Sequence, residues 1–206
     1  MLLVSLTFAA LVAGRTTAAP PVETAPPVES AAPGESSPVA ATSPRTAWQP
    51  TVAEKHWTTI VLHHSATEQG DVASIDAVHR GKRDPSGKAW LGIGYHFVVG
   101  NGRKMADGEV QPTFRWQQQL AGAHAGQRDY NEHGIGICVI GNFDEAAPTA
   151  RQMTAVRDLI KTLAARHAIP RERIVRHQDV TATACPGRLF PWDQAVSGVP
   201  GTTKGS

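Results

Sequence analysis

Short apolar runs bounded by glycine alternate with stretches of helical spacing from about residue 54 onward. "WTTIVLHH" at 57–64 is rich in β-branched residues and alternates, and "GIGYHFVVG" and "GIGICVIGNF" are two more runs of strand length. "DVASIDAVHRGKR" has helical spacing with an Asp ahead of it. "PTARQMTAVRDLIKTLAARHAI" predicts the longest helix: Thr149 can cap it, and Met153, Val156, Leu159, Ile160, Leu163 and Ala164 recur at i, i+3, i+4. "ERIVRH" reads as a last strand and "PWDQAV" as a short C-terminal helix. This mixed order predicts an α/β fold, a single domain with a central mixed β-sheet flanked by α-helices.

The first part of the chain follows a different pattern. "MLLVSLTFAALVAG" followed by small residues suits the apolar core of an export signal and is short for a membrane span. Residues 20 to 50 concentrate proline among Ala, Ser, Thr and Glu, a composition that buries too little apolar surface to offset chain entropy. The expected organisation is a signal peptide at 1–19, a disordered linker at 20–50, a folded domain at 51–198 and a flexible tail at 199–206. The mature protein is expected to carry no transmembrane span and to work outside the cytoplasm, as a periplasmic, cell-envelope or secreted protein.

Composition narrows the function classes. Hydrophobic residues make up 41% of the 206 and charged ones 18%, an ordinary globular balance. A formal net charge of +2, without clustered Lys and Arg, gives no basis for a nucleic-acid footprint. Cys138 and Cys185 are the two cysteines, so one disulfide is conceivable and a disulfide framework is not. No heptad or exposed apolar repeat argues for assembly, and a monomer is expected.

Nine histidines exceed what a core needs, and three stand at expected strand ends: His63, His64 and His177. A catalytic zinc site takes three protein ligands, commonly His nitrogen and Cys sulfur, and leaves one position open. One His of the first strand, His177 and Cys185 would make such a set. His177 and Cys185 are eight positions apart, about 12 Å along a helix, so they share an ion only if "QDVTATA" turns back on itself. Neighbours on a strand point to opposite faces, so only one of His63 and His64 can serve, and alternation does not say which.

Other patterns are weaker. "GKRDPSGKA" puts five residues where a phosphate loop needs four, with Ala89 where Ser or Thr should stand, so it reads as a turn. There is no G-x-S-x-G elbow. Cys138 among apolar neighbours reads as a small buried hydrophobe. Tyr95, on a short expected strand, is equally a core aromatic or a site residue. Trp90 and Trp116 are groove candidates, although tryptophan more often packs.

Taken in order, "IVLHHSAT", "GIGYHFVVGNG", "GAHAGQRDYNEHGIGICVIGNF", "PTARQMTAVRDLI" and "IVRHQDVTATACPG" resemble the zinc-dependent N-acetylmuramoyl-L-alanine amidases, the family of phage amidase-type lysozymes and peptidoglycan recognition proteins. The likeness runs from about residue 57 to 190. It implies one zinc ion held by His63, His177 and Cys185, with His64 structural. It implies Tyr95 beside the metal as a donor to the developing oxyanion, Thr183 helping to hold that oxyanion or the substrate carbonyl, and His124 and Asn131 lining the groove. The expected reaction is cleavage of the amide between the lactyl group of N-acetylmuramic acid and L-alanine of the stem peptide by a zinc-activated water. The chain departs from cytosolic recycling members at Cys138, where those carry a glutamate. Some relatives bind peptidoglycan without cutting it and have typically lost the cysteine ligand. A non-catalytic binding module is therefore the alternative, and the retained Cys185 favours the enzyme.

Overall fold

Thr59–His64 forms β1, which lies between two parallel neighbours in the sheet and is buried at all six positions. The structure is a computed structural model and describes residues 48–84 and 86–202. The expected signal peptide and all but the end of the expected linker lie outside the described residues. After β1 come α1 (Val72–Arg80), β2 (Phe97–Val99), β3 (Val110–Pro112), α2 (Phe114–Gln117) and α3 (Arg128–His133). They are followed by β4 (Gly134–Val139), α4 (Ala150–His167), β5 (Ile174–Arg176) and α5 (Trp192–Ala195), with 3₁₀ turns at Arg171–Arg173 and His177–Asp179.

The sheet order is β3-β2-β4-β1-β5. β1 runs parallel to β4 and β5, β4 runs parallel to β2, and only the edge strand β3 is antiparallel. A mostly parallel sheet must be covered on both faces, which is why β1 and β4 read as nearly continuous apolar runs. On one face Ile60, Leu62, Ile135, Ile137 and Val139 pack with Val156, Leu159, Ile160 and Leu163 of α4. On the other, Val98 joins Ile93, Met105 and Ile140, against Val72 and Ile75 of α1.

The two long helices start where the sequence predicts. Thr149 Oγ1 accepts from Gln152 N at 3.0 Å while Gln152 Oε1 accepts from Thr149 N at 3.1 Å, a reciprocal cap for α4. Asp71 and Ser74 do the same for α1. The "GKRDPSGKA" turn also forms, with Asp84 Oδ1 accepting from Ser86 N and Lys88 N.

Three expectations need correction. The linker does not extend to residue 50: Trp48 is only 7% exposed, belongs to the main core, and its carbonyl accepts from Trp116 Nε1 at 2.8 Å. The tail does not begin at 199: Val199 is buried in the same core, Pro200 O accepts from Arg171 N at 3.1 Å, and Thr202 N donates to Glu172 at 3.1 Å. "GIGYHFVVG" is a strand only over Phe97–Val99, so Tyr95 stands in the loop before β2.

Candidate metal centre

Alternation along β1 turns Ile60, Leu62 and His64 to the α4 side and Val61 and His63 to the other. His177 follows directly on β5, the parallel neighbour of β1. Cys185 is brought back by the loop between them, which Gln178 N closes onto Cys185 O at 2.8 Å. The loop base is held by Asp179, which accepts from Arg176 N at 2.9 Å and from its guanidinium. The turn-back that the eight-residue spacing demands is thus present.

The ligand atoms of His63, His177 and Cys185 lie within 4.8 Å of one another. Cys185 Sγ is 3.8 Å from His63 Nδ1. Zinc bonds of about 2.3 Å to sulfur and about 2.0 Å to nitrogen, at tetrahedral angles, separate those atoms by about 3.5 Å. The His63–Cys185 spacing is close to that of a tetrahedral cation's ligands, and His177 supplies the third donor within 4.8 Å of both. His63 is 1% exposed and Cys185 8%, while His177 is half-buried. Burial above all, then the neighbouring His124, His177 and His64, holds the His63 imidazole far below its ordinary range and so neutral. Burial likewise lowers His177, opposed by a hydrogen bond to the Ala125 backbone. Burial pushes the Cys185 thiol up to about 12, although the His64 amide donating to Sγ at 3.3 Å pulls the other way. Without a cation the cluster is two neutral rings and a thiol, and a metal binding there displaces the thiol proton.

The other expected site residues surround this cluster unequally. The Tyr95 ring is 5.1 Å from that of His63. Its hydroxyl shares a hydrogen bond with the Cys138 thiol, and burial raises its pKa well above the ordinary tyrosine value. Thr183 is exposed at the rim, its Oγ1 accepting from Cys185 N at 3.3 Å. His124 is 7% exposed and sits behind His63, with Nδ1 3.1 Å from His63 Nε2. Asn131 Oδ1 accepts from His124 N and Ala125 N at 2.8 and 2.9 Å. The His64 ring is on the α4 side, where Nδ1 accepts from Phe143 N at 3.2 Å. Both cysteines are free thiols.

Beside the cluster a groove of about 270 Å³ is lined by Ser65, Thr67, Ile75, Val78, His79 and Tyr95. A larger opening of about 620 Å³ lies across α4 near Trp48 and Lys161, away from the metal-ligating groups. Trp116 is fully buried against Trp57 and Phe97, so it is core; Trp90 packs on His79 with Lys82 above it.

Sequence reasoning missed the supports. Arg115 is 5% exposed and donates to Ile93 O and Ala121 O, tying the loop before Tyr95 to the loop before His124. Three glycines make room for these loops. A Cβ at Gly94 would lie 2.2 Å from Ala123 O, and Cβ atoms at Gly122 and Gly136 would lie 2.3 and 2.5 Å from the His124 ring. The signal was in the sequence, in the repeated G-x-G of "GIGY" and "GIGI", but it reads there only as strand punctuation.

The signature of the N-acetylmuramoyl-L-alanine amidase family matches residues 53–188. The chain is 31% identical over 134 residues to an endolysin of Enterobacteria phage T3, a stretch covering 62% of this chain and 78% of that protein. It is 32% identical over 117 residues to an N-acetylmuramoyl-L-alanine amidase of Homo sapiens, covering 56% of this chain but only 18% of that protein. Among solved structures, an endolysin N-acetylmuramoyl-L-alanine amidase from Clostridium intestinale superposes with a TM-score of 0.56 at 32% identity, over 68% of this chain and 81% of that one. Drosophila PGRP-LB superposes with a TM-score of 0.53 at 23% identity, over 78% and 96%, a likeness of fold.

Proposed function

Because the chain belongs to the N-acetylmuramoyl-L-alanine amidase family and is a peptidoglycan hydrolase, we propose that His63, His177 and Cys185 hold the single zinc ion with which it cuts the lactyl–L-alanine amide. The observation that carries this reading is the convergence of those three donors, from β1, the end of β5 and the following loop, within 4.8 Å. Zinc held there supplies a Lewis acid and lowers the pKa of a bound water to about 7, so no strong separate base is required and Cys138 in place of a glutamate is no obstacle.

The chain's own groups orient and hold the reacting amide. Tyr95, kept protonated by burial and with its ring 5.1 Å from that of His63, is a hydrogen-bond donor across the working pH range, the group suited to meet the carbonyl oxygen as it gains charge. Thr183 at the rim contributes a hydroxyl toward the same oxygen or the neighbouring carbonyl, while its lone pair fixes the Cys185 amide. The groove between β1 and α1 gives the stem peptide a path past Tyr95. Peptidoglycan lies outside the cytoplasmic membrane, which supports export, and no helix among the described residues is long and apolar enough to cross a membrane.

Cys185→Ala and His177→Ala are the direct test. Each is expected to lose stoichiometric zinc and at least about a hundredfold in release of stem peptide from defined muropeptides, about 3 kcal/mol of barrier. Undiminished turnover by metal-free protein would overturn the zinc mechanism. Bound zinc with no peptide release would move the chain to the binding-module class.

A further inference from the structure

A metal-ligating imidazole offers one nitrogen to the ion, and whatever holds the other nitrogen selects the tautomer and fixes the ring. His63 Nδ1 faces Cys185 Sγ, and His63 Nε2 lies 3.1 Å from His124 Nδ1. His124 Nε2 lies 3.3 Å from Gly134 O. A carbonyl oxygen only accepts, so the proton of the neutral His124 ring is on Nε2 and its Nδ1 is a lone pair. That lone pair accepts from His63 Nε2–H, which leaves His63 Nδ1 without a proton and turned to the cluster. Two hydrogen bonds in series thus set the protons of both rings.

The short loop that carries His124 is itself fixed in place. Asn131 binds the amides of both His124 and Ala125 through one oxygen, and its own carbonyl accepts from Gly122 N at 2.7 Å. Beneath the loop, Gly94 and Gly136 leave no space for a Cβ, so the peptide and the His124 ring lie directly on neighbouring backbone.

We infer that Ala123–Ala125, pinned by Asn131, fixes the His124 ring, and that His124 is a positioning residue presenting His63 Nδ1 to the metal. This rests on the zinc reading above and gives His124 and Asn131 a task different from lining the groove.

Two amide substitutions separate support from mere space-filling. Asparagine at 124 keeps an acceptor near the place of Nδ1; glutamine reaches toward Gly134 O and offers nothing to His63. Zinc affinity of the full chain, measured by competition with a chromophoric chelator, is expected to stay within about threefold of wild type in His124→Asn and to fall about 10- to 100-fold in His124→Gln. The ligand-field spectrum of cobalt-loaded protein should shift in the glutamine variant alone. Equal affinities, or tighter binding by glutamine, would overturn the inference. If a His124 variant does not fold, Asn131→Asp, which keeps the acceptor, against Asn131→Ala asks the same question. The expected gap is again about tenfold, and no gap overturns the inference. Wild-type protein that binds no zinc overturns the metal site itself, a result distinct from wild-type binding with indistinguishable variants.

Discussion

His79 and His96 show how a buried imidazole is used away from the metal-ligating cluster. His79 Nδ1 accepts from Gly94 N at 3.0 Å; His96 Nδ1 accepts from Gly136 N at 2.9 Å, while its Nε2 donates to Leu120 O. Protonating either Nδ1 destroys an amide hydrogen bond, and burial, the largest cause in both, lowers both pKa values, that of His79 to about 4. The unfolded chain takes up these protons near pH 6.5 and the folded one does so only well below, so stability present above pH 6.5 is lost as the pH falls. The unfolding free energy of zinc-free protein, read from urea titrations, should therefore drop between pH 7 and 5, by on the order of 1–2 kcal/mol per histidine, and His79→Gln should flatten that slope. An unfolding free energy independent of pH in this window would contradict the assignment. Little of this was legible beforehand. The surplus of histidines pointed to chemistry, and alternation separated His63 from His64, but the partner of each second ring nitrogen comes from loops distant in sequence.

Elements with both a period and a cap were legible. α1 and α4 carry an apolar stripe and a reciprocal N-cap, and β1 and β4 are apolar because both sheet faces are covered. β3, α2 and α3 lack a readable period: three residues ending in proline at an edge, four residues too few to show one although Thr113 caps them, and six residues with no buried position. They are held by what surrounds them, and so is the geometry of β4, where Gly136 seats the His124 ring. Gly136→Ala puts a Cβ 2.5 Å from that ring inside a packed layer. It should destabilise the protein by about 2–3 kcal/mol and weaken zinc retention, as read by denaturant unfolding and metal stoichiometry. Gly81→Ala is the control, since its φ is −73° and its nearest neighbour is 3.4 Å away; it should change stability by less than about 0.5 kcal/mol.

At the scale of the molecule, the sequence located the folded body but set its edges too far in. A proline-rich composition marks where a core cannot form, yet one tryptophan at its border is enough to be drawn in, and Trp48 packs edge-on to Phe97 at 6.2 Å. Trp48→Ala should cost about 3–5 kcal/mol in thermal or denaturant unfolding, where a linker residue would cost nothing measurable. The metal-ligating cluster has a comparable dependence on distant parts. His63 and Cys185 are 122 positions apart. Neither can find the other until the parallel strands between them have paired, a slow, late event for a chain with long-range topology. A growing polypeptide therefore lacks the proposed centre until Cys185 has been made and β5 has joined the sheet beside β1, so the peptidoglycan-cutting capacity of the domain arrives in one late step rather than by degrees.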